Sequence, residues 1–154
     1  MHQNSLKLMR YFRDKYLVDI PNATIVDVGA RRVRRSHKTY RGLFPFPFQY
    51  SGMDIEAGLN VDIVGYENIT KHDVLISGQV MEHVKKPWEW LDSLKEYFTQ
   101  YICIIAPNTW QEHRYPIDTY RYYPDGMRDL FEYAGIDILE IFKNNKDTIG
   151  IGKI

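Results

Sequence analysis

The stretch Thr24-Ile-Val-Asp-Val-Gly-Ala30 reads as a buried strand that runs into a tight turn. Its β-branched and apolar residues suit a pleated, covered surface, and Gly29 permits close approach of backbone to a ligand. Further along, Gln49-Tyr-Ser-Gly-Met53 forms a second short strand that ends on Asp54. An acidic residue at that strand tip can accept hydrogen bonds from ribose hydroxyls, so the pair points to a nucleoside-bearing cofactor. Directly after the turn, Arg31, Arg32, Arg34 and Arg35 stand where a glycine-rich loop would normally continue.

Outward from this core, apolar residues from Leu6 to Leu17 recur at helical spacing, with Ser5 as the expected N-cap. Pro21-Asn22 breaks the chain before the first strand, and a short helix is expected around 37–43, ended by Pro45 and Pro47. Further strands are read at Asn60–Val64, Asp73–Ser77 and Tyr101–Ala106, with a long helix from Val80 to Phe98 whose main body opens at Pro87. After a long loop, 107–123, a helix starts at Pro124 and stops at Gly135. Two closing strands, Ile136–Phe142 and Thr148–Lys153, then make a hairpin. Alternating strands and helices argue for a doubly wound α/β fold with a mostly parallel sheet, closed by an antiparallel hairpin. Ligands of such sheets sit beyond the carboxyl ends of the central strands.

The 154 residues make one domain, 1–154, with an N-terminal helix over 1–20 and an α/β core over 24–154. Twenty basic and twenty acidic residues cancel, which removes any global attraction to nucleic acid or anionic membrane. No apolar stretch approaches the roughly 20 residues of a membrane span. The single Cys103 lies in an apolar run, so a buried thiol and a reducing, cytoplasmic setting are expected. The five histidines show no metal-ligand spacing, and no metal is expected. Phe44-Pro-Phe-Pro-Phe48 could serve as an exposed contact patch in an oligomer.

Several motifs, in order, resemble those of class I S-adenosylmethionine-dependent methyltransferases, in the small-molecule branch with a Glu-His dipeptide after the fourth strand. They are Ile25–Gly29, Tyr50–Glu56, Val61–Gly65, Asp73–Val84, Ala106-Pro-Asn, His113–Arg121 and Pro124–Gly135. The resemblance implies a Rossmann-like, seven-stranded sheet and S-adenosyl-L-methionine as cofactor, leaving as S-adenosyl-L-homocysteine. It implies that Asp27, Gly29 and Ala30 shape the turn under the methionine part. Asp54, Ile55 and Glu56 would take the ribose, with Asp54 the principal acceptor. Ser77, Gly78 and Gln79 would line the reactive end. Ala30-Arg-Arg-Val-Arg-Arg-Ser36 departs from the pattern, which carries a second glycine there, and Tyr66 or Glu67 stands where an Asp often contacts adenine.

The implied activity is methyl transfer to an oxygen or nitrogen of a small-molecule or glycan-like acceptor. No Asn-Pro-Pro-Tyr follows the fourth strand, where Ser77-Gly-Gln-Val80 stands, which argues against the DNA amino-methylating branch. His113 on the long loop, with Asp118, Tyr120 and Arg121, could bind or deprotonate a hydroxyl; equally, Asp118 could pair with Arg121 and pin the loop. His83 is a further candidate base, and Glu82-His83 can also be read as a structural helix start. Trp88 and Trp90 read as helix packing. Two other functions stay open: a non-catalytic binding protein with a degenerate cofactor loop, and an RNA-binding or RNA-modifying protein using Arg31 to Arg35.

Overall fold

The computed structural model describes residues 2–154. Helix α1 (Gln3–Tyr16) is followed by β1 (Thr24–Val28), β2 (Gln49–Asp54), β3 (Ile63–Val64) and β4 (His72–Gly78). Helix α2 (Pro87–Leu94), β5 (Phe98–Pro107), α3 (Pro124–Tyr133), β6 (Asp137–Asn144) and β7 (Asp147–Lys153) complete the chain. The strands form one seven-stranded sheet in the order β3-β2-β1-β4-β5-β7-β6. Strands β1 to β5 pair in parallel, and β7 runs antiparallel to both β5 and β6. The expected doubly wound sheet with its closing hairpin is therefore present.

Each face of the sheet buries its own core. On one face α2 and α3 cover Val26, Val28, Leu75, Ile102 and Ile104, with Phe131 and Met127 inserted from α3. On the other, α1 and the 40–50 segment cover Ile25, Ile76, Cys103 and Ile105 through Phe12, Met9, Tyr40 and Phe44. Alternate residues of β1, β4 and β5 thus feed opposite cores, as period-two side chains must.

Four local readings differ from the sequence expectation. Helix α1 begins at Gln3 with His2 as N-cap, because the Ser5 hydroxyl lies buried against the Tyr40 hydroxyl at 2.5 Å and is not free to cap. The long helix over 80–98 is three pieces: a 3₁₀ turn at Met81–His83, α2, and a 3₁₀ turn at Lys95–Tyr97. Proline disfavours helical backbone in the residue before it, and Lys86, ahead of Pro87, sits at φ −126°, ψ 75°. Strand β3 is only Ile63–Val64, and just ahead of it the Asp62 carboxylate takes the Gly52 N–H at 2.7 Å. The short helix before the Pro45 and Pro47 breaks is a single 3₁₀ turn at Arg41–Leu43.

Of the phenylalanines in the Phe44–Phe48 patch, only Phe46 projects, 94% exposed, while Phe44 is buried beside Phe48 and Tyr50. Trp90 packs against the core as expected, and its indole N–H donates to the Tyr66 hydroxyl at 2.7 Å. No helix among the described residues is long and apolar enough to cross a membrane.

Candidate functional site

The carboxyl ends of β1, β2, β4 and β5 lie along one edge of the sheet, as their parallel pairing requires. At the end of β1, Gly29 turns the chain at φ +82°. The Gly29 and Ala30 N–H groups both donate to Met53 O at 2.9 Å, which ties the turn to β2. Val80 packs on the Gly29 Cα, so a Cβ there would collide with a Val80 methyl. Beneath the turn, buried Asp27 accepts a hydrogen bond from the Tyr50 hydroxyl. Burial pushes the Asp27 carboxyl up to about 7, the Tyr50 hydrogen bond opposing it.

At the tip of β2, Asp54 accepts the Arg31 N–H at 3.1 Å and the Glu56 N–H at 3.2 Å. The Arg31 guanidinium folds over the same carboxylate at 3.7 Å and reaches Glu56 at 3.0 Å. Ile55 points outward, 68% exposed. Of the remaining loop arginines, Arg34 and Arg35 are exposed, whereas the Arg32 Nε is buried.

At the end of β4, the Ser77 hydroxyl donates to Val28 O at 2.8 Å, which joins β4 to β1. Gly78 has no room for a side chain, because the Tyr40 hydroxyl occupies it. Gln79 adopts φ +61°, and its Nε2 donates to buried Asp147 at 2.9 Å. Its Oε1 is buried without a hydrogen-bond partner among the described residues.

In the 3₁₀ turn after β4, Glu82 is fully buried, and neither carboxylate oxygen has a hydrogen-bond partner among the described residues. The Nε2 atoms of His83 and His113 each lie 3.7 Å from Glu82 Oε1. The Glu82 carboxylate raises the His113 imidazole, against the opposing effect of burial. Asp118 and Arg121 are paired bidentately at 2.5 and 2.7 Å, and Asp118 also accepts the His113 N–H at 2.6 Å. The Arg121 guanidinium holds the Asp118 carboxyl far below its ordinary value. Arg121 further donates to Trp110 O and Gln111 O, at 2.8 and 3.0 Å, so the pinned-loop reading of this pair describes their geometry. Tyr120 is 40% exposed beside them.

The sequence candidates thus divide. Asp27, Gly29, Ala30, Asp54, Ser77, Gly78 and Gln79 lie at or just beyond the carboxyl ends of β1, β2 and β4; His83 and His113 meet at Glu82; Asp118 and Arg121 hold the loop that carries His113. Glu82 is the residue whose importance sequence reading understated. The signal was present as a carboxylate beside His83, but its burial follows only from the fold.

The donor set suits a nucleoside sulfonium bearing an amino acid. Asp54 and Glu56 at the tip of β2 could accept ribose hydroxyls, and the orphaned Gln79 Oε1 after β4 could accept from an ammonium group. Arg31 lies on the same carboxylates, its side chain 37% exposed.

No family model and no curated protein matches the chain. Solved structures do match its fold. A methyltransferase dependent on S-adenosylmethionine from Aquifex aeolicus is 14% identical, with a TM-score of 0.64 over 100% of this chain and 99% of that one. The magnesium protoporphyrin IX methyltransferase of Synechocystis, with S-adenosylhomocysteine bound, is 14% identical, with a TM-score of 0.66 over 99% and 83%. The 1,6-didemethyltoxoflavin N1-methyltransferase of Burkholderia thailandensis is 10% identical, with a TM-score of 0.71 over 98% and 76%. At such identities the likeness is one of fold: the chain has the Rossmann-like architecture of these methyltransferases.

Proposed function

We propose that this chain is an S-adenosylmethionine-dependent methyltransferase acting on an oxygen or nitrogen of a small-molecule or glycan-like acceptor. The observation that carries the reading is the placement of the Asp54 carboxylate at the tip of β2 and the orphaned Gln79 Oε1 after β4, on the two strands that flank β1. The fold shared with enzymes that hold S-adenosylhomocysteine supports it.

When bound, the cofactor supplies a methyl group already activated on a sulfonium. The protein is left with positioning the partners and disposing of the acceptor's proton. Asp54, with Glu56 beside it, holds the ribose once Arg31 has moved away, and Gln79 Oε1 takes the ammonium group. Asp27, Gly29 and Ala30 fix the turn below. Ser77 locks β4 to β1, and Gly78 admits the Tyr40 hydroxyl. The rim of Glu82, His83 and His113 faces the acceptor, with Tyr120 beside it, while Asp118 and Arg121 fix the loop.

Thermal unfolding with and without S-adenosylhomocysteine tests this reading. Ligand at 100 times its dissociation constant stabilises the fold by about 2.7 kcal/mol. Asp54→Ala abolishes the shift. No shift at millimolar ligand overturns the reading, and an undiminished shift in Asp54→Ala overturns the ribose assignment.

A second reading rests on Arg31. Its guanidinium on Asp54 and Glu56 closes the ribose end, as in a binding protein that no longer takes the cofactor. Arg31→Ala separates the two. In a working enzyme it tightens ligand binding by removing a competitor; in a closed, non-catalytic site the wild type shows no binding at all.

A further inference from the structure

Glu82 poses an electrostatic problem that the cofactor reading does not solve. A carboxylate buried without hydrogen bonds is costly unless a positive charge or a metal sits beside it. Two histidines do converge on it, but their other ring nitrogens are already committed. His83 Nδ1 lies 2.6 Å from Ile117 O and His113 Nδ1 lies 3.0 Å from Gln111 O. A carbonyl oxygen only accepts, so each Nδ1 carries a proton, and Nε2 is the ring atom turned toward Glu82. At 3.7 Å, neither Nε2 is within hydrogen-bonding distance of the carboxylate. A buried carboxylate and two imidazole Nε2 atoms therefore face one another with no hydrogen bond among them.

We propose that Glu82, His83 and His113 bind a divalent transition-metal cation of the zinc class. One ligand atom from each residue lies within 4.8 Å of the others. Metal–ligand bonds of about 2.1 Å in a tetrahedron put ligands about 3.4 Å apart, so the two 3.7 Å edges need to contract by only a few tenths. Two imidazoles and one carboxylate suit zinc better than magnesium, which prefers an all-oxygen octahedral shell. Three protein ligands also leave a fourth position open.

The surroundings hold these ligands in place. The Nδ1–carbonyl hydrogen bonds orient both rings, as outer-shell partners of metal-bound histidine do. Thr119 ties the loop to the turn carrying Glu82, its N–H and hydroxyl donating to Glu82 O at 2.8 and 2.9 Å. The Asp118–Arg121 pair holds the His113 backbone. His113, with its side chain 31% exposed, gives the ion a way in.

The site is read without any cofactor, so its test is independent of the one above. Protein stripped with a chelator is titrated with zinc by calorimetry and followed by thermal unfolding, with magnesium as the comparison. One zinc per chain is expected, with a rise in unfolding temperature that magnesium does not reproduce. His113→Ala, on a surface loop, and His83→Ala each weaken zinc binding beyond the roughly 10–100-fold typical of losing an outer-shell partner. Glu82→Gln does the same, with circular dichroism confirming that it folds; His37→Ala has no effect. Absence of stoichiometric zinc binding overturns the proposal. So does binding that survives His113→Ala unchanged, or equal stabilisation by magnesium.

Discussion

Gly29 is held at φ +82° with Val80 packed directly above it, so two separate penalties meet at one Cβ. The left-handed backbone costs a residue with a side chain about 1–2 kcal/mol, and overpacking against Val80 adds about 1–3 kcal/mol. Gly29→Ala should therefore lose about 2–5 kcal/mol in urea denaturation. In a Val80→Ala background the steric part disappears and only the backbone part remains. Equal losses in both backgrounds would mean that the clash relaxes freely. Asp27, one turn earlier, gives a pH signature. Its folded-state value of about 7 lies above the ordinary carboxylate value of about 3.9, so the folded chain binds the extra proton between them. This contribution to stability is complete below about pH 4 and is lost as pH rises through 7. Asp27→Asn keeps an acceptor for Tyr50 and removes the slope. The variant should gain on wild type by up to the order of 4 kcal/mol by pH 8, three units at 1.36 kcal/mol each. Denaturation midpoints of both proteins from pH 4 to 8 measure the difference, and parallel curves would refute the assignment.

At the scale of elements, one buried carboxylate joins three of them. Asp147, at the start of β7, accepts Asn4 Nδ2 of α1 at 2.8 Å, Gln79 Nε2 after β4 at 2.9 Å and Trp110 Nε1 of the long loop at 3.2 Å. Asp147→Ala strands the Gln79 and Trp110 donors, and a cost of about 1–3 kcal/mol for each follows. Proteolysis within 108–123 should accelerate in the variant, because the loop loses its anchor to the sheet. An unchanged cleavage rate would show the loop to be held by Arg121 and Asp118 alone. Such ties explain what the sequence could and could not convey. The apolar runs of β1 and β5 and the Pro124-to-Gly135 helix were legible because their signals are local. The break at Lys86 was local too, a residue before proline, but helical periodicity masked it. The pairing of Asp147 with Asn4, or of Arg31 with Asp54, depends on the fold bringing distant segments together, and no periodicity reports it. The same holds for Glu82, whose neighbour His83 was visible while His113 reaches it only through the folding of the long loop.

The molecule as a whole is a single sheet shared by two cores, and that arrangement ties its stability together. Cys103 tests the coupling. It lies on β5 between β4 and β7, belongs to the core under α1, and is fully buried. Burial pushes its thiol well above the ordinary range, so it reacts only when exposed. If the α1 face could open alone, a thiol reagent would label Cys103 far faster than global unfolding allows. Yet α1 is bound to the sheet through Phe12 and Met9 in the core, through Tyr16 and Lys15 on Glu140 of β6, and through Asn4 on Asp147. Peeling it away breaks all of these contacts at once. The free energy of Cys103 protection, measured by labelling at low denaturant, should therefore equal the global unfolding free energy from the denaturation curve. Phe131→Ala, in α3 on the opposite face, should lower both by the same amount, about 3–5 kcal/mol. A Cys103 protection that stays unchanged in Phe131→Ala would mean that the two faces unfold independently, and the shared sheet would then not be the unit of cooperativity.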